Sequence, residues 1–280
     1  EEARRHFEML VDTLRCGPRT ALLQSYVDGE EYVVDCVSRQ GTHKVVMLWH
    51  CDKRSANGAP FVYFSEKPLA PGSEVARELL PYARGVLDAL GIINGATHME
   101  VKMSADGPCL IECNCRCHGG SGAWRPLARA CVGGYDQVSA TVDVFIDAPS
   151  FELIPELPPD PLACGQFVVI LSYHEGKLAA IPGFERIRGL ESFVSLEPMV
   201  WPGQRLQCTI DMYTVVALCV LQHTCCEVVE QDVATIRSWE MDGSLFELLP
   251  EFKIVRKTFA FNRNTQASRR SGPQSLKGIG

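Results

Sequence analysis

Leu110-Ile111-Glu112-Cys113-Asn114-Cys115-Arg116-Cys117-His118-Gly119-Gly120 is the stretch on which the fold turns. If it starts as a β-strand, successive side chains face opposite sides. Glu112, Asn114 and Arg116 then share one face, and Cys113, Cys115 and Cys117 share the other. The first row spans about 13 Å, at ~3.3 Å per residue, and offers a carboxylate, an amide oxygen and a guanidinium. Oxygen donors suit magnesium, and a planar guanidinium suits a pair of anionic oxygens. The glycine pair at the end lets a backbone approach a ligand closely.

A second acid extends the pattern. Residues 97–103 read as another strand, and Asp106-Gly107 as a hairpin turn into residues 109–112. In such a hairpin Glu100 lies across from Glu112. Two carboxylates and an amide converging on one face repel each other unless a cation stands between them. A magnesium ion bridging the phosphates of ATP accounts for the set economically. The plain alternative is a pair of solvated acids on an exposed sheet face.

Ahead of these lies Gln24-Ser25-Tyr26-Val27-Asp28-Gly29-Glu30-Glu31-Tyr32-Val33-Val34-Asp35. Together with His98-Met99-Glu100 and Glu112-Cys113-Asn114-Cys115-Arg116, in that order and spacing, it makes the chain resemble the ATP-grasp family of carboxylate–amine ligases. The branch of L-amino-acid ligases and carnosine-synthase-like enzymes is the most similar, strongly over residues 15–145 and weakly beyond. The resemblance implies an α+β fold: an ATP-grasp large subdomain, built as an antiparallel sheet with helices, and a smaller, mostly β C-terminal domain. It implies ATP and Mg2+ (or Mn2+) as cofactors. Gln24 and the backbone of Ser25, Tyr26 and Val27 would hold the adenine edge, and Glu31 the ribose hydroxyls. Glu100, Glu112 and Asn114 would ligate the metal. Arg116 would stabilise charge on the phosphoryl group and the acyl phosphate. The backbone around His118 would hold the acyl phosphate or a carboxylate, with simple packing as the other reading of that side chain.

The reaction so implied has two steps. A carboxylate attacks the γ-phosphoryl group of ATP, and an amine then displaces phosphate from the acyl phosphate to give an amide. Biotin-carboxylase or carbamoyl-phosphate chemistry, and a nucleotide-binding fragment without catalysis, are the alternatives. Expected partners are ATP and small carboxylate and amine substrates of the amino-acid class, without nucleic acid or membrane; a homodimer stays open. In this family a substrate-binding domain and a smaller ATP subdomain precede the segment matched here. The chain is therefore expected to be the C-terminal part of a larger ligase.

Bulk properties fit a globular cytoplasmic enzyme. The 280 residues are 46% hydrophobic and 22% charged, with a net charge of −7 that argues against a nucleic-acid groove. No apolar run approaches the roughly 18 residues of a membrane span. Thirteen cysteines, an odd number with no secretory leader, argue for reduced thiols. Cys113, Cys115 and Cys117 are expected to pack under the sheet. Zinc is the lesser reading, since three sulfurs on one strand form a line rather than a tetrahedron.

Periodicity supplies the rest. Residues 1–15 carry an amphipathic helical pattern, and residues 21–27, 31–38 and 44–50 read as strands. Residues 52–60 read as a polar loop carrying Lys53 and Arg54, able to close over phosphates or substrate or merely to connect. Ser73 caps a long helix that Gly91 stops, and residues 126–133 and 135–146 read as helices behind the sheet. The proline-rich residues 151–161 are the expected boundary between domains 1–150 and 151–261. Strands are expected at 164–172, 177–181, 192–196 and 215–222, a helix at 230–241, and a disordered tail at 262–280.

Overall fold

The computed structural model describes residues 23–250, together with Glu1, Arg4, Arg5, Phe7 and Glu8. Most of the helix expected at 1–15, and the tail at 262–280, lie outside the described residues. Residues 23–28 have no regular structure, so the strand expected at 21–27 is not formed there.

Runs rich in Val and aromatic residues, with both faces buried through the middles of the first two, give β1 (Glu30–Arg39), β2 (Thr42–Ala56) and β3 (Ala59–Pro68). These form an antiparallel meander, and β4 (Gly95–Ser104) pairs with the other side of β1. β5 (Gly107–Asn114) completes the expected hairpin, with Ser104 opposite Gly107. Residues 52–60 are therefore not a loop but the end of a hairpin. Asn57 and Gly58, at φ 52° and 82°, both take the left-handed conformation that a tight two-residue turn requires.

Beyond the proline-rich stretch come β6 (Cys164–Ile170), β7 (Gly176–Ala180), β8 (Phe193–Pro198), β9 (Arg205–Leu206), β10 (Ala217–His223) and β11 (Glu247–Leu248). The sheet order is β5-β4-β1-β2-β3-β6-β10-β8, and β11-β7-β9 make a small second sheet. The expected domain boundary at residues 151–161 is thus overtaken by the pairing of β3 with β6, Ser65 opposite Val168 and Glu66 opposite Phe167. Glu1–Leu249 form one compact unit. The prolines punctuate a surface crossing; they do not divide the core.

α1 (Glu74–Ala89) begins at Ser73, whose hydroxyl accepts from the Ala76 N–H. It lays Leu79, Ala83 and Leu87 on Val34, Leu48, Met99 and Val101. The opposite face is covered by α2 (Arg125–Val132) and α3 (Gln137–Ile146), the latter opened by a reciprocal Asp136–Ser139 cap. There Trp49 and Trp124 pack with Phe167, Val169 and Leu218 in one cluster. A short α4 (Ala148–Leu153) precedes the proline stretch, and α5 (Gly183–Arg188) and α6 (Cys226–Asp242) cover β6 and β10. No described helix is long and apolar enough to cross a membrane.

Two expectations about cysteine change. Cys164 and Cys226 form a disulfide that ties β6 to the start of α6, so the thiols are not all reduced. Of the cysteine row only Cys113 packs under the sheet, because the strand ends at Asn114 and the alternation stops with it. Cys115 is exposed and Cys117 half-buried.

Candidate functional site

β1, β4 and β5 set the site by register. In an antiparallel pair, residues directly opposite point to the same face. Glu31 is opposite Lys102, Val33 opposite Glu100, and Asp35 opposite His98. Glu100 is in turn opposite Glu112, and His98 opposite Asn114. A bulge follows at once, since Val101 pairs with Leu110 and Ile111 is left over. This extra residue explains why Leu110 and Cys113 both pack beneath α1 while Ile111 joins the functional face. Strict alternation would have put Leu110 beside Glu112.

The first cavity, of about 390 Å³, is lined by Gln24, Ser25, Tyr26, Val27, Glu31 and Lys53, with Phe61, Lys102 and Ile111. Every residue expected at the adenine and ribose positions is here. Tyr26 stacks on Phe61 with ring centroids 5.7 Å apart, and the Lys102 ammonium lies 4.6 Å from the Tyr26 ring and donates to the Val27 carbonyl at 3.0 Å. Phe61 and Lys102 were missed. Lys102 was legible from Glu100, two residues away on the same strand face; Phe61 carried no signal while residues 52–60 read as a loop.

Lys53 stands in β2, not in a loop. Its ammonium pairs with Glu31, lies 3.3 Å from Glu100 and sits over the Tyr63 ring at 3.9 Å. Burial works against the Lys53 charge, but the two carboxylates outweigh it and raise its pKa. Burial likewise opposes ionisation of Glu100, yet His98 and Lys53 bring its pKa down to about 2. Burial dominates at Glu31 and pushes its pKa up. His98 and Lys53 together hold Glu100 ionised, and Glu31 is left the weaker acid.

A second cavity, of about 160 Å³, is lined by Glu100, whose partner Lys53 lines the first. It is lined by Tyr63, Glu66, His98, Glu100, Arg116, His118, Gly119 and Gly120, among others. Arg116 is exposed beyond the end of β5 and donates to the Cys117 carbonyl at 2.9 Å. His118 is buried. Its Nδ1 lies 2.9 Å from Asp35 Oδ2, and its Nε2 lies 3.0 Å from Glu66 Oε2. The His118 N–H donates to the Gln137 side chain at 2.7 Å, and Trp124 Nε1 donates to the Gly119 carbonyl at 2.8 Å. The turn after β5 is thus pinned from both sides. Gly120 sits at φ 65°, and a Cβ there would crowd the Phe167 ring at 3.1 Å.

Burial disfavours a charged His118, but Glu66 and Asp35 overcome it and raise its pKa to about 10. Burial also opposes the charge on His98, which Asp35 and Glu100 raise to about 8. Asp35 is held well below the usual carboxylate range against its own burial by His118 and His98. Asp35, His98, Glu66 and Tyr63 were all missed as members of the site. Period two from Glu31 and Glu100 already placed Asp35 and His98 on their face.

The donor set fits a hard divalent cation. Glu100 and Glu112 face each other across the hairpin, and Asn114 donates its amide N–H to Glu112, which leaves its amide oxygen available. The cysteines do not compete, since they leave this face.

The profile of the ATP-grasp domain matches residues 2–124. Over those residues the chain is similar to an ATP-grasp domain. Dapdiamide A synthase from Enterobacter agglomerans is 28% identical over 237 residues, which cover 83% of this chain and 54% of that enzyme. The structure of L-amino acid ligase from Bacillus licheniformis superposes with a TM-score of 0.64 at 18% identity, over 81% of this chain and 55% of that one. Phosphoribosylglycinamide synthetase from Anaerococcus prevotii superposes with a TM-score of 0.60 at 11% identity, over 89% and 60%. The chain spans a little over half the length of the relatives it matches.

Proposed function

We propose that this chain acts in an ATP-dependent carboxylate–amine ligase that joins small substrates of the amino-acid class through an acyl phosphate. The observation that carries this is that Lys53, a wall of one cavity, pairs with Glu100, a wall of the other. On one side Glu100 shares Lys53 with Glu31 in a nucleotide-sized cleft; on the other it lines a small charged cavity with Arg116 and the Gly119–Gly120 turn. A triphosphate entering from the first side brings its terminal phosphoryl group to the second. The structural likeness to L-amino acid ligase, and the identity with dapdiamide A synthase, support the amide-forming reading.

Gln24 and the backbone of residues 25–27 hold the base against Tyr26 and Phe61, and Glu31 accepts from the ribose hydroxyls. Lys53 leaves Glu31 and Glu100 to take the phosphate oxygens. Glu100, Glu112 and Asn114 would hold a divalent cation, which would neutralise charge on the phosphates. A substrate carboxylate oxygen then bonds to the γ-phosphorus while the bond to the ADP oxygen breaks. Arg116 binds the oxygens of the acyl phosphate, and the turn at Gly119–Gly120 presents backbone to them. The amine nitrogen bonds to the acyl carbon, the carbon–oxygen bond to phosphate breaks, and the amine loses a proton. Water exclusion protects the acyl phosphate between the steps.

The test is ADP release and amide formation by the full-length protein, screened against pairs of amino acids. Amide product from at least one pair is expected, and Glu112→Ala or Arg116→Ala is expected to remove it, by a factor of about 100 or more. ADP release that requires bicarbonate and no amine would overturn the proposal in favour of a carboxylating enzyme.

A further inference from the structure

Asp35 has no part in the reaction as described, yet it is the hub of the most enclosed charges near it. β1 carries Glu31, Val33 and Asp35 on one face, and Asp35 is completely buried. Its carboxylate accepts from Trp49 Nε1 at 2.8 Å, from His118 Nδ1 at 2.9 Å and from His98 Nδ1 at 2.9 Å. Both rings are tied at Nδ1, so each turns Nε2 outward onto another acid. His118 meets Glu66 Oε2 at 3.0 Å, and His98 meets Glu100 Oε1 at 3.6 Å. The order is Glu66, His118, Asp35, His98, Glu100, with acid and base alternating. A metal held by Asp35, His98 and His118 is the competing reading, since their donor atoms lie within 4.8 Å of one another. Ligands at ~2.1 Å from a tetrahedral ion stand ~3.4 Å apart. The contacts of each ring with Asp35 are shorter, at hydrogen-bond length.

We propose that Asp35 is a positioning residue: through His98 it fixes the metal-binding carboxylate of Glu100, and through His118 it fixes the Gly119–Gly120 turn, on either side of the point of phosphoryl transfer. The reason is geometric. Glu100 and the turn belong to different segments, and Asp35 is hydrogen-bonded both to His98, which stands at ion-pair distance from Glu100, and to His118, which leads into the turn. An ionised carboxylate without water stays in place only when its partners are fixed around it. Partners behind a metal ligand set that ligand's direction, and their loss typically weakens metal binding by about 10- to 100-fold. The proposal rests on Glu100 being the ligand assigned above.

The test uses Mn2+ as the probe, followed by electron paramagnetic resonance on the full-length protein with a non-hydrolysable ATP analogue. Asp35→Asn is expected to weaken Mn2+ by about 10-fold or more while changing metal-free analogue binding by no more than about threefold. An asparagine amide oxygen can still satisfy Trp49 and His118, and its amide nitrogen then faces His98, so what is lost is the anionic acceptor that holds the His98 Nδ1–H. Two substitutions at His98 isolate the link. His98→Asn keeps a nitrogen near the Nδ1 position, toward Asp35; His98→Gln keeps one near Nε2, toward Glu100. Both are expected to lose Mn2+ affinity as Asp35→Asn does, and they decide the matter if Asp35→Asn does not fold. Wild-type Mn2+ affinity in His98→Gln, or in folded Asp35→Asn, would overturn the proposal, because a local donor to Glu100 would then suffice. Failure of the ligase reading shows separately, as Mn2+ and nucleotide bound by the wild type without amide formed. No Mn2+ binding by the wild type would overturn this proposal as well.

Discussion

His118 shows at the residue scale how much a single side chain depends on its surroundings. Its imidazole is enclosed by Asp35, Glu66 and the His98 ring, whose centroid is 4.4 Å away, with Trp49 and Trp124 around them. Its pKa of about 10, against an ordinary 6.5, means the folded state holds a proton that the unfolded chain releases. That contribution to stability is complete below pH 6.5 and is lost as the pH rises through about 10. Each unit of separation is worth ~1.4 kcal/mol. Urea unfolding of the wild type is therefore expected to lose stability steadily over this window. His118→Gln is expected to start lower, flatten the dependence, and meet the wild type at the alkaline end. Parallel curves for the two proteins would show that His118 carries no extra proton. The sequence made His118 a candidate through its neighbour Arg116, but not its burial against an acid 83 positions away. Glu31, Glu100, Glu112 and Asn114 were legible because their chemistry lies in two short strands. Glu66 was not, since nothing in residues 59–68 distinguishes a functional acid from a solvated one.

At the element scale, the hinge into β1 decides whether the nucleotide cleft keeps its wall. Residues 24–27 have no strand partners; the Lys102 bond to Val27 and the turn at Gly29 hold them. Gly29 sits at φ 128°, and a Cβ there would lie 2.0 Å from the Met103 carbonyl oxygen. Backbone strain of this kind costs about 1–3 kcal/mol, before any clash is relieved. Gly29→Ala is thus expected to displace the segment and weaken a fluorescent ATP analogue by about 10-fold or more, with far-UV circular dichroism of the sheet retained. Unchanged analogue affinity would mean that residues 24–27 do not form the nucleotide wall. The elements themselves followed local rules where those rules acted alone. Ser73 and the apolar stripe beyond it gave α1, and the Asp106-Gly107 signal gave the β4–β5 hairpin, although the turn centres one position earlier. Asn57-Gly58 is as strong a hairpin signal, but Lys53, Arg54 and Asp52 around it made the flanks look like loop. Those charges are tolerated in β2 because Lys53 is neutralised by two acids and Arg54 forms an ion pair with Asp52. The bulge at Ile111 left no local mark, because it arises from pairing and not from composition.

For the whole molecule, the position of the proline stretch and the position of the core lead to opposite expectations. Two folding units meeting at residues 151–161 would give two separable cores. Instead Trp49, Val33 and Phe64 from the first strands share a cluster with Phe167, Val169, Leu171, Leu218 and Val220 from the last. Burial of a large apolar side chain is worth ~1.5–3 kcal/mol, so removing the second set strips several such contributions from the first. Arg237 of α6 adds a polar tie, donating to the Phe64 carbonyl at 2.6 Å and the Val169 carbonyl at 3.0 Å. The pairing of β3 with β6 could not be read locally, since the strands lie about a hundred residues apart. Cooperative loss of both halves follows. In urea, fluorescence of the buried Trp49 and Trp124, read in a protein with Trp201→Phe and Trp239→Phe, and far-UV circular dichroism, to which α6 contributes, are expected to trace one transition with a common midpoint. A chain ending at Pro149 is expected to remain unfolded under native conditions, for want of the Phe167 and Leu218 side of the cluster. Separate midpoints, or a folded truncation, would return the boundary to the proline stretch. The consequence for function is direct. Phe167 and Val169 also line the cavity beside Glu100 and Arg116, so the second half of the sheet is a wall of the site as well as half of its support.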